Sequence, residues 1–500
     1  RRLMMEGLES RQLLAAGGII PSTPALDEYE GPRNVGSVAS FPVTELEGRG
    51  EFGENDFVQD AQFLPLGNGP GQRDTIDVSG TAGIFPRGNL GVTTDIDVYS
   101  FDLQAGDILD VATLGGSAQF TVMLPNGQVW FAVDSVLNGS TTQFDTYPSS
   151  SPLQTLGNQA FAQIVPEAGR YSVLVSAEST SVDYTLGLRT YRPVTESLPV
   201  GESQIIFLDF DGGVFPRSVL REIYAPGGDP ILGGVALIPG IQQTLSGLGV
   251  ANQGTGVIEN LQLSIAAEVE RIFEDVGDKN LNGDFDSTGV PGDYGVTILN
   301  SLQHADPGSN PNVTRVLVTG TAADYGFAAT VAETVDIGNF KLNEYAIVQI
   351  DTWLPVAQSF ARSPGSSEFD VYATFLGGVA AHEAAHVLGI RHTDGTNLVG
   401  NVGDEGGQSP IADDQLVGLG PDGVYGTADD VPSTFETDIF SLVEGIFGTN
   451  YTAHSIAYGL STGTVGSTAT GRIFNDVNGN GTFTGDSGLG GVTVFLDVNG

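Results

Sequence analysis

The sequence predicts a multidomain chain: an all-β sandwich, then an α/β domain, then the start of a repeated motif. Three observations carry that reading. Short β-patterned runs separated by turns fill residues 66–192 with no helix pattern between them. Strand and helix patterns mix over residues 200–462. Asp476-Val477-Asn478-Gly479 returns as Asp497-Val498-Asn499-Gly500. The length agrees, since 500 residues correspond to roughly three or four domains. Hydrophobic residues make up 40%, enough for real cores, and the 70 glycines follow no three-residue period, which excludes a collagen-like chain.

The first 20 residues begin basic and end apolar. Their apolar part is too short and interrupted for an ordinary signal peptide. A short amphipathic helix is one reading of them. The string Leu8-Glu9-Ser10-Arg11-Gln12-Leu13-Leu14-Ala15 also resembles the LEPRxLL-type signature of very large exported bacterial proteins, with Ser10 where that pattern has proline. Residues 21–65 are rich in Pro, Gly and acid without periodicity, so residues 1–65 read as an export signature and linker.

Within 66–192, Asp95-Ile96-Asp97-Val98-Tyr99-Ser100-Phe101 and Tyr171-Ser172-Val173-Leu174-Val175 are strand patterns, and Pro125-Asn126-Gly127 is a turn signal. The segments at 95–107, 166–175 and 183–188 resemble the bacterial pre-peptidase C-terminal domain. That resemblance implies a non-catalytic jelly-roll sandwich found beside secreted peptidases, in some cases binding calcium or matrix.

Over 200–462, Gln204-Ile205-Ile206-Phe207-Leu208-Asp209-Phe210 reads as a strand. Ile258, Leu261, Ile265, Ala266, Val269 and Ile272 give residues 258–275 a helical period. Further strands are expected at 294–299, 314–319 and 345–350, and helices at 371–390 and 434–447, where Ser433 followed by Glu436 suggests a capping box. Residues 471–500 resemble the start of the B-type repeat of serine-aspartate surface adhesins, which implies an incomplete β-sandwich repeat over 468–500. The chain begins at Arg1 and stops at Gly500 inside that motif, as expected of a section of a longer protein.

Acidic residues outnumber basic ones 61 to 19, for a net charge of −42. Such a field repels nucleic acid and anionic membrane, so neither is expected as a direct partner. Excess carboxylates are natural ligands for hard cations, calcium above all. A solvated surface adapted to salt accounts equally well for most of the charge. Cysteine is absent, which removes disulfides, thiolate metal sites and cysteine nucleophiles. No run of 18 apolar residues occurs, so no transmembrane helix is expected.

The chemistry concentrates in one string. Three of the five histidines lie in His382-Glu383-Ala384-Ala385-His386-Val387-Leu388-Gly389-Ile390-Arg391-His392, which follows the pattern HExxHxxGxxH throughout. Chance yields the full pattern on the order of 10⁻⁵ times in a chain this long. At i and i+4, His382 and His386 share a helical face and can converge on one ion. A continuing helix would carry His392 about 240° away from His386, so the helix must stop first. Gly389 permits the positive φ that lets the chain leave it. Three neutral imidazoles leave one position of a tetrahedral zinc for water, acidified from a pKa of about 15.7 toward about 7. Glu383 is placed to accept the water's proton and pass it to a leaving amine.

The pattern resembles the metzincin clan of zinc endopeptidases. The resemblance implies zinc held by His382, His386 and His392, Glu383 as general base, and an edge strand that binds substrate as an added β-strand. Residues 345–350 are the expected edge strand. Metzincins place a methionine in a tight turn beneath the zinc, but the methionines here are Met4, Met5 and Met123. Thr396-Asn397-Leu398-Val399-Gly400 falls at the right distance, so Val399 or Leu398 is expected to fill that floor. Tyr451 or Tyr458 is either structural or the tyrosine that some metzincins use near the oxyanion. A cysteine that silences the zinc is impossible here.

Asp278, Asn280, Asn282, Asp284 and Asp286 alternate oxygen ligands around Gly283, as in the first half of an EF-hand loop, though Gly289 stands where the bidentate glutamate belongs. An acidic turn without metal is the other reading. Asp476, Asn478, Asn480 and Asp486 repeat the arrangement, and there the adhesin resemblance implies calcium. Asp422-Gly423-Val424-Tyr425-Gly426-Thr427-Ala428-Asp429-Asp430 is a third acidic loop. The expected cofactors are therefore zinc and calcium. The expected function is a secreted or cell-surface zinc endopeptidase acting on protein or peptide, with accessory modules for anchoring to matrix or a surface partner. The alternative is a zinc- and calcium-binding structural or adhesive protein with little turnover.

Overall fold

Alternating burial along the first half produces strands with one face in a core: in Ala118–Met123 every second side chain is buried. A computed structural model describes residues 5–6, 41–46, 55–67, 72–86, 92–114, 117–133, 147–148, 151, 153, 159–177, 182–193, 204–217, 220, 234–250, 255–278, 296–308, 310–327, 330–405, 416–442, 445–461, 472–475 and 487–488. Eight strands form the sandwich: β1 (Gln72–Pro86), β2 (Asp97–Leu103), β3 (Ile108–Leu114), β4 (Ala118–Met123), β5 (Val129–Val133), β6 (Gln159–Ile164), β7 (Gly169–Ala177) and β8 (Val182–Arg192). One sheet runs β6-β3-β8-β1, ending on Phe41–Thr44, with Val92–Asp95 also paired to β1. The facing sheet contains β5-β4-β7-β2, ending on Gln62–Phe63. Val78, Val111, Leu186 and Leu188 of the first sheet meet Tyr99, Phe120, Phe131 and Tyr171 of the second in one buried cluster.

The second half builds a mostly parallel sheet of β9 (Ile205–Asp209), β10 (Thr297–Asn300), β11 (Val313–Val318), β12 (Val331–Ala332) and β13 (Tyr345–Val348). Their order is β10-β9-β11-β13-β12, and β12 alone is antiparallel. Helices α1 (Thr255–Asp278), α2 (Ile350–Ser359) and α3 (Glu368–Val387) cover it. Ile265, Val269 and Ile272 of α1 pack with Phe375, Leu376 and Val379 of α3 in a shared core. Ile206, Val316 and Val348 of the sheet join them.

Two expectations fail here. Residues 345–350 do not make an edge strand. β13 is wholly buried between β11 and β12, and the edge is the two-residue β12. The described residues of 434–447 form no α-helix either. They contribute β14 (Thr437–Ile439) and the start of β15 (Ile446–Tyr451), before helix α4 (Thr452–Ser461). Ser433 is no helix cap, and its buried hydroxyl has no hydrogen-bond partner. The local capping signal lost to long-range pairing, because β15 pairs with β14 and also with β5, extending the sandwich sheet. Gly448 makes that junction possible. Its φ is +122°, and a Cβ there would fall 2.1 Å from the Trp130 carbonyl oxygen. The halves also share a core, where Ile108, Ala162 and Ile164 of the sandwich join Ile337, Phe340, Tyr458 and Leu460.

Candidate metal centre

A capping box starts the helix that carries the site. Ser367 Oγ accepts from the Asp370 amide at 3.1 Å, and an Asp370 carboxylate oxygen accepts from the Ser367 amide at 2.7 Å. From there α3 is buried almost all round, which fixes the axis on which His382 and His386 sit one turn apart. The helix ends after Val387. Gly389 has φ +99°, and its amide donates to the His386 carbonyl at 2.9 Å. A Cβ at Gly389 would meet the Asp336 carbonyl oxygen at 2.9 Å and Ile337 Cα at 3.0 Å. The chain therefore turns out of the helix against residues 336–337 and returns His392 to the other two rings.

The three histidines converge, and their ligand atoms all lie within 4.8 Å of one another. Ring centroids are 4.5 Å apart for His382–His386, 4.6 Å for His386–His392 and 5.3 Å for His382–His392. His382 Nδ1 donates to the Val402 carbonyl at 2.6 Å, and His386 Nδ1 to the Ile390 carbonyl at 2.8 Å. A carbonyl can only accept, so each Nδ1 carries the proton and each Nε2 presents a lone pair. Those two Nε2 atoms lie 2.9 Å apart. Two lone pairs at that distance repel unless a proton or a cation lies between them. Burial, then the neighbouring His386 and His392, hold His382 well below its ordinary pKa, which disfavours the proton. Tetrahedral zinc with nitrogens at about 2.0–2.1 Å would set them ~3.3 Å apart. The donor set fits zinc.

Glu383 is 5% exposed beside this cluster. Burial pushes its carboxyl up to about 8, opposed by the nearby His392. A dication at the histidines would draw that value down.

The floor of the site differs from the expected one. Leu398 is 91% exposed and Val399 36%, so neither fills it. The floor is the turn Asn401-Val402-Gly403-Asp404, closed by the Asp404 amide on the Asn401 carbonyl at 3.1 Å. Val402 is fully buried in the core and orients His382 through its carbonyl. Asp404 ties the turn to the third histidine's segment, accepting from Thr393 Oγ1 at 2.7 Å and the Asn401 amide at 3.1 Å. Burial pushes Asp404 up to about 7 against those hydrogen bonds. The Asn-x-Gly-Asp spelling is a turn signal that begins immediately after Gly400. Tyr451 packs against the sandwich core, and the Tyr458 ring lies against Gly106, so both serve packing at the junction of the halves.

Of the expected calcium ligands, Asp278 is the last residue of α1. Asn280, Asn282, Asp284, Asp286, Asp476, Asn478, Asn480 and Asp486 lie outside the described residues. In the loop 422–430 the carboxylates accept from the loop's own amides, Val424 to Asp422 at 2.8 Å and Gly426 to Asp430 at 2.7 Å. Among the described residues, the histidine triad is the one group of three or more metal-ligating side chains that converges this closely.

Residues 1–18 match a family described as Planctomycete extracellular, and the match covers Leu8–Ala15. No curated protein matches. Similar solved structures include PliG of Aeromonas hydrophila, a periplasmic inhibitor of g-type lysozyme. It is 16% identical, with 26% of this chain and 96% of that one covered, at a TM-score of 0.17. PliG of Salmonella Typhimurium is 14% identical, with coverage of 26% and 98%, at the same TM-score. The N-terminal match points to an extracellular place. No helix among the described residues is long and apolar enough to cross a membrane.

Proposed function

We propose that this chain is a metzincin-like zinc endopeptidase, secreted or displayed at the cell surface. The observation that carries the reading is the convergence of His382, His386 and His392, two of them locked by carbonyls into the tautomer that offers Nε2, with Glu383 buried alongside. Zinc bound there would polarise a peptide carbonyl and acidify the attacking water. Glu383 would take the proton of that water and return it to the leaving amine. Its dry surroundings raise its proton affinity and a bound zinc would lower it again, a balance that suits a group that must both accept and donate. Substrate would lie along β12, the open edge of the parallel sheet, as an added strand.

A second reading, a zinc- and calcium-binding adhesive protein with little turnover, draws on the lack of any methionine beyond Met4, Met5 and Met123 and on the adhesin-like repeat. One assay separates the two: full-length chain with zinc and calcium on denatured casein, beside Glu383→Ala. The proposal expects cleavage by the wild type and none by the variant, with equal zinc in both. Equal silence from two folded, zinc-loaded proteins would favour the second reading.

A further inference from the structure

The third histidine is held by the sandwich. His392 does not sit on a regular element of its own domain. Its carbonyl accepts from the Ser441 amide at 3.0 Å, and Thr393 forms an antiparallel bridge with Phe440. That strand continues into β14, which pairs with β15, which pairs with β5. An unbroken run of strand pairing thus joins the backbone at His392 to the sandwich sheet.

Side chains make a second, independent connection to the other sheet. Arg391 is 2% exposed and lies with its guanidinium carbon 4.1 Å from the centre of the Phe161 ring on β6. Its Nη2 donates to Tyr147 Oη at 3.0 Å and to the Ala162 carbonyl at 3.5 Å. The Arg391 carbonyl accepts from Asn450 Nδ2 at 3.1 Å, and Asn450 Oδ1 accepts from Gln163 Nε2 of β6 at 3.4 Å. The side chain of the residue before the third histidine is therefore held directly by Phe161 and Ala162, and its carbonyl reaches Gln163 through Asn450 of β15.

Geometry makes that grip matter. His382 and His386 are fixed by a capped, buried helix. His392 follows a glycine turn, so its position is only as good as its neighbours. Metal–ligand distances tolerate about 0.2 Å, and a site about 1 Å loose is a failed site.

We propose that the β-sandwich is a structural part of the metal centre, with Arg391 as the positioning residue through which β6 sets His392 for the metal. The inference rests on the zinc reading and deepens it. The sandwich is not a detachable accessory, and the unit that holds a three-histidine site extends from the sandwich through α4.

The test measures zinc affinity by chelator competition, and the visible spectrum of the cobalt(II) form, on the full chain. Arg391→Met removes the charge, the stacking plane and the donors. Arg391→Lys restores a charge and a donor. Tyr147→Phe removes one hydroxyl. Arg170→Ala breaks an exposed sandwich ion pair with Asp102 and serves as control. Arg391→Met is expected to bind zinc about 10–100-fold more weakly, the usual cost of losing a group behind a ligand. Its cobalt spectrum should weaken as the third imidazole is lost. Arg391→Lys should recover part of both, Tyr147→Phe should fall between, and Arg170→Ala should match the wild type. Wild-type zinc affinity and an unchanged cobalt spectrum in Arg391→Met would overturn the inference while leaving the zinc reading intact. Should that variant not fold, Tyr147→Phe decides in the same way. A wild-type chain that binds neither metal would overturn the zinc reading, and this inference with it.

Discussion

Replacing Gly389 with alanine should loosen the third histidine more than any other single-methyl change near the site. At φ +99° an L-residue costs about 1–2 kcal/mol relative to glycine. The new Cβ would stand 2.9 Å from the Asp336 carbonyl oxygen and 3.0 Å from Ile337 Cα. Both are backbone atoms, so no side chain can swing aside. Relief needs a shift of the turn or of residues 336–337 by a few tenths of an ångström, an overpacking cost of about 1–3 kcal/mol. The sum is about 2–5 kcal/mol, and at about 2–4 °C per kcal/mol the Tm should fall by ~5 °C or more. Zinc affinity should fall with it, tenfold for each ~1.4 kcal/mol that appears at the ligand. Calorimetry with and without zinc, together with a chelator titration, reads both effects. Gly389→Asn refines the test, because asparagine tolerates the left-handed conformation but brings the same Cβ. It should recover only part of the loss. A stability within about 0.5 kcal/mol of wild type, a Tm shift of about 2 °C or less, and unchanged zinc affinity in Gly389→Ala would refute the account of how the helix is left.

Two further predictions concern the floor of the site and the sandwich core. Val402→Ala should cost about 1–3 kcal/mol in denaturant unfolding because Val402 is fully buried, whereas Leu398→Ser should stay within about 0.5 kcal/mol. The reverse ranking would return the floor to residues 398–399. Asp97 is buried, accepts from Tyr184 Oη at 2.7 Å, and is pushed by burial up to about 8. The folded chain then keeps a proton that the unfolded chain loses near pH 4, so the stability this group contributes is complete below about pH 4 and is lost as pH rises through about 8. The Tm of the metal-free protein should fall across that window. Asp97→Asn should flatten the slope, since Asn55 can turn its otherwise unsatisfied Oδ1 toward the new amide. An identical slope in the variant would assign the pH dependence elsewhere.

The histidines were legible because helical periodicity and a glycine suffice to predict their convergence from spacing alone. Ser367, Gly389 and the apolar run of α3 obey local rules. The misreadings share a cause in non-local structure. Ser433 and Glu436 spell a helix start, yet the strands that follow are stabilised by pairing with β5, some 300 residues earlier in the chain. Val331–Ala332 is too short to show a period, so the longer and more apolar 345–350 was read as the edge. Leu398 suggested a hydrophobic floor by composition, but a chain can expose a leucine, and the turn residues around Val402 were the better guide. Arg391 lay inside the motif at a position where any residue is allowed. Only contacts with Phe161 and Tyr147 reveal what it does.

The central claim is the three-histidine centre, and zinc-edge X-ray absorption on the full-length chain tests it most directly. The account predicts one zinc per chain with three imidazole nitrogens at about 2.0–2.1 Å and one oxygen, falling to two imidazoles in His392→Ala. A zinc spectrum without imidazole, or one unchanged by His392→Ala, would contradict it.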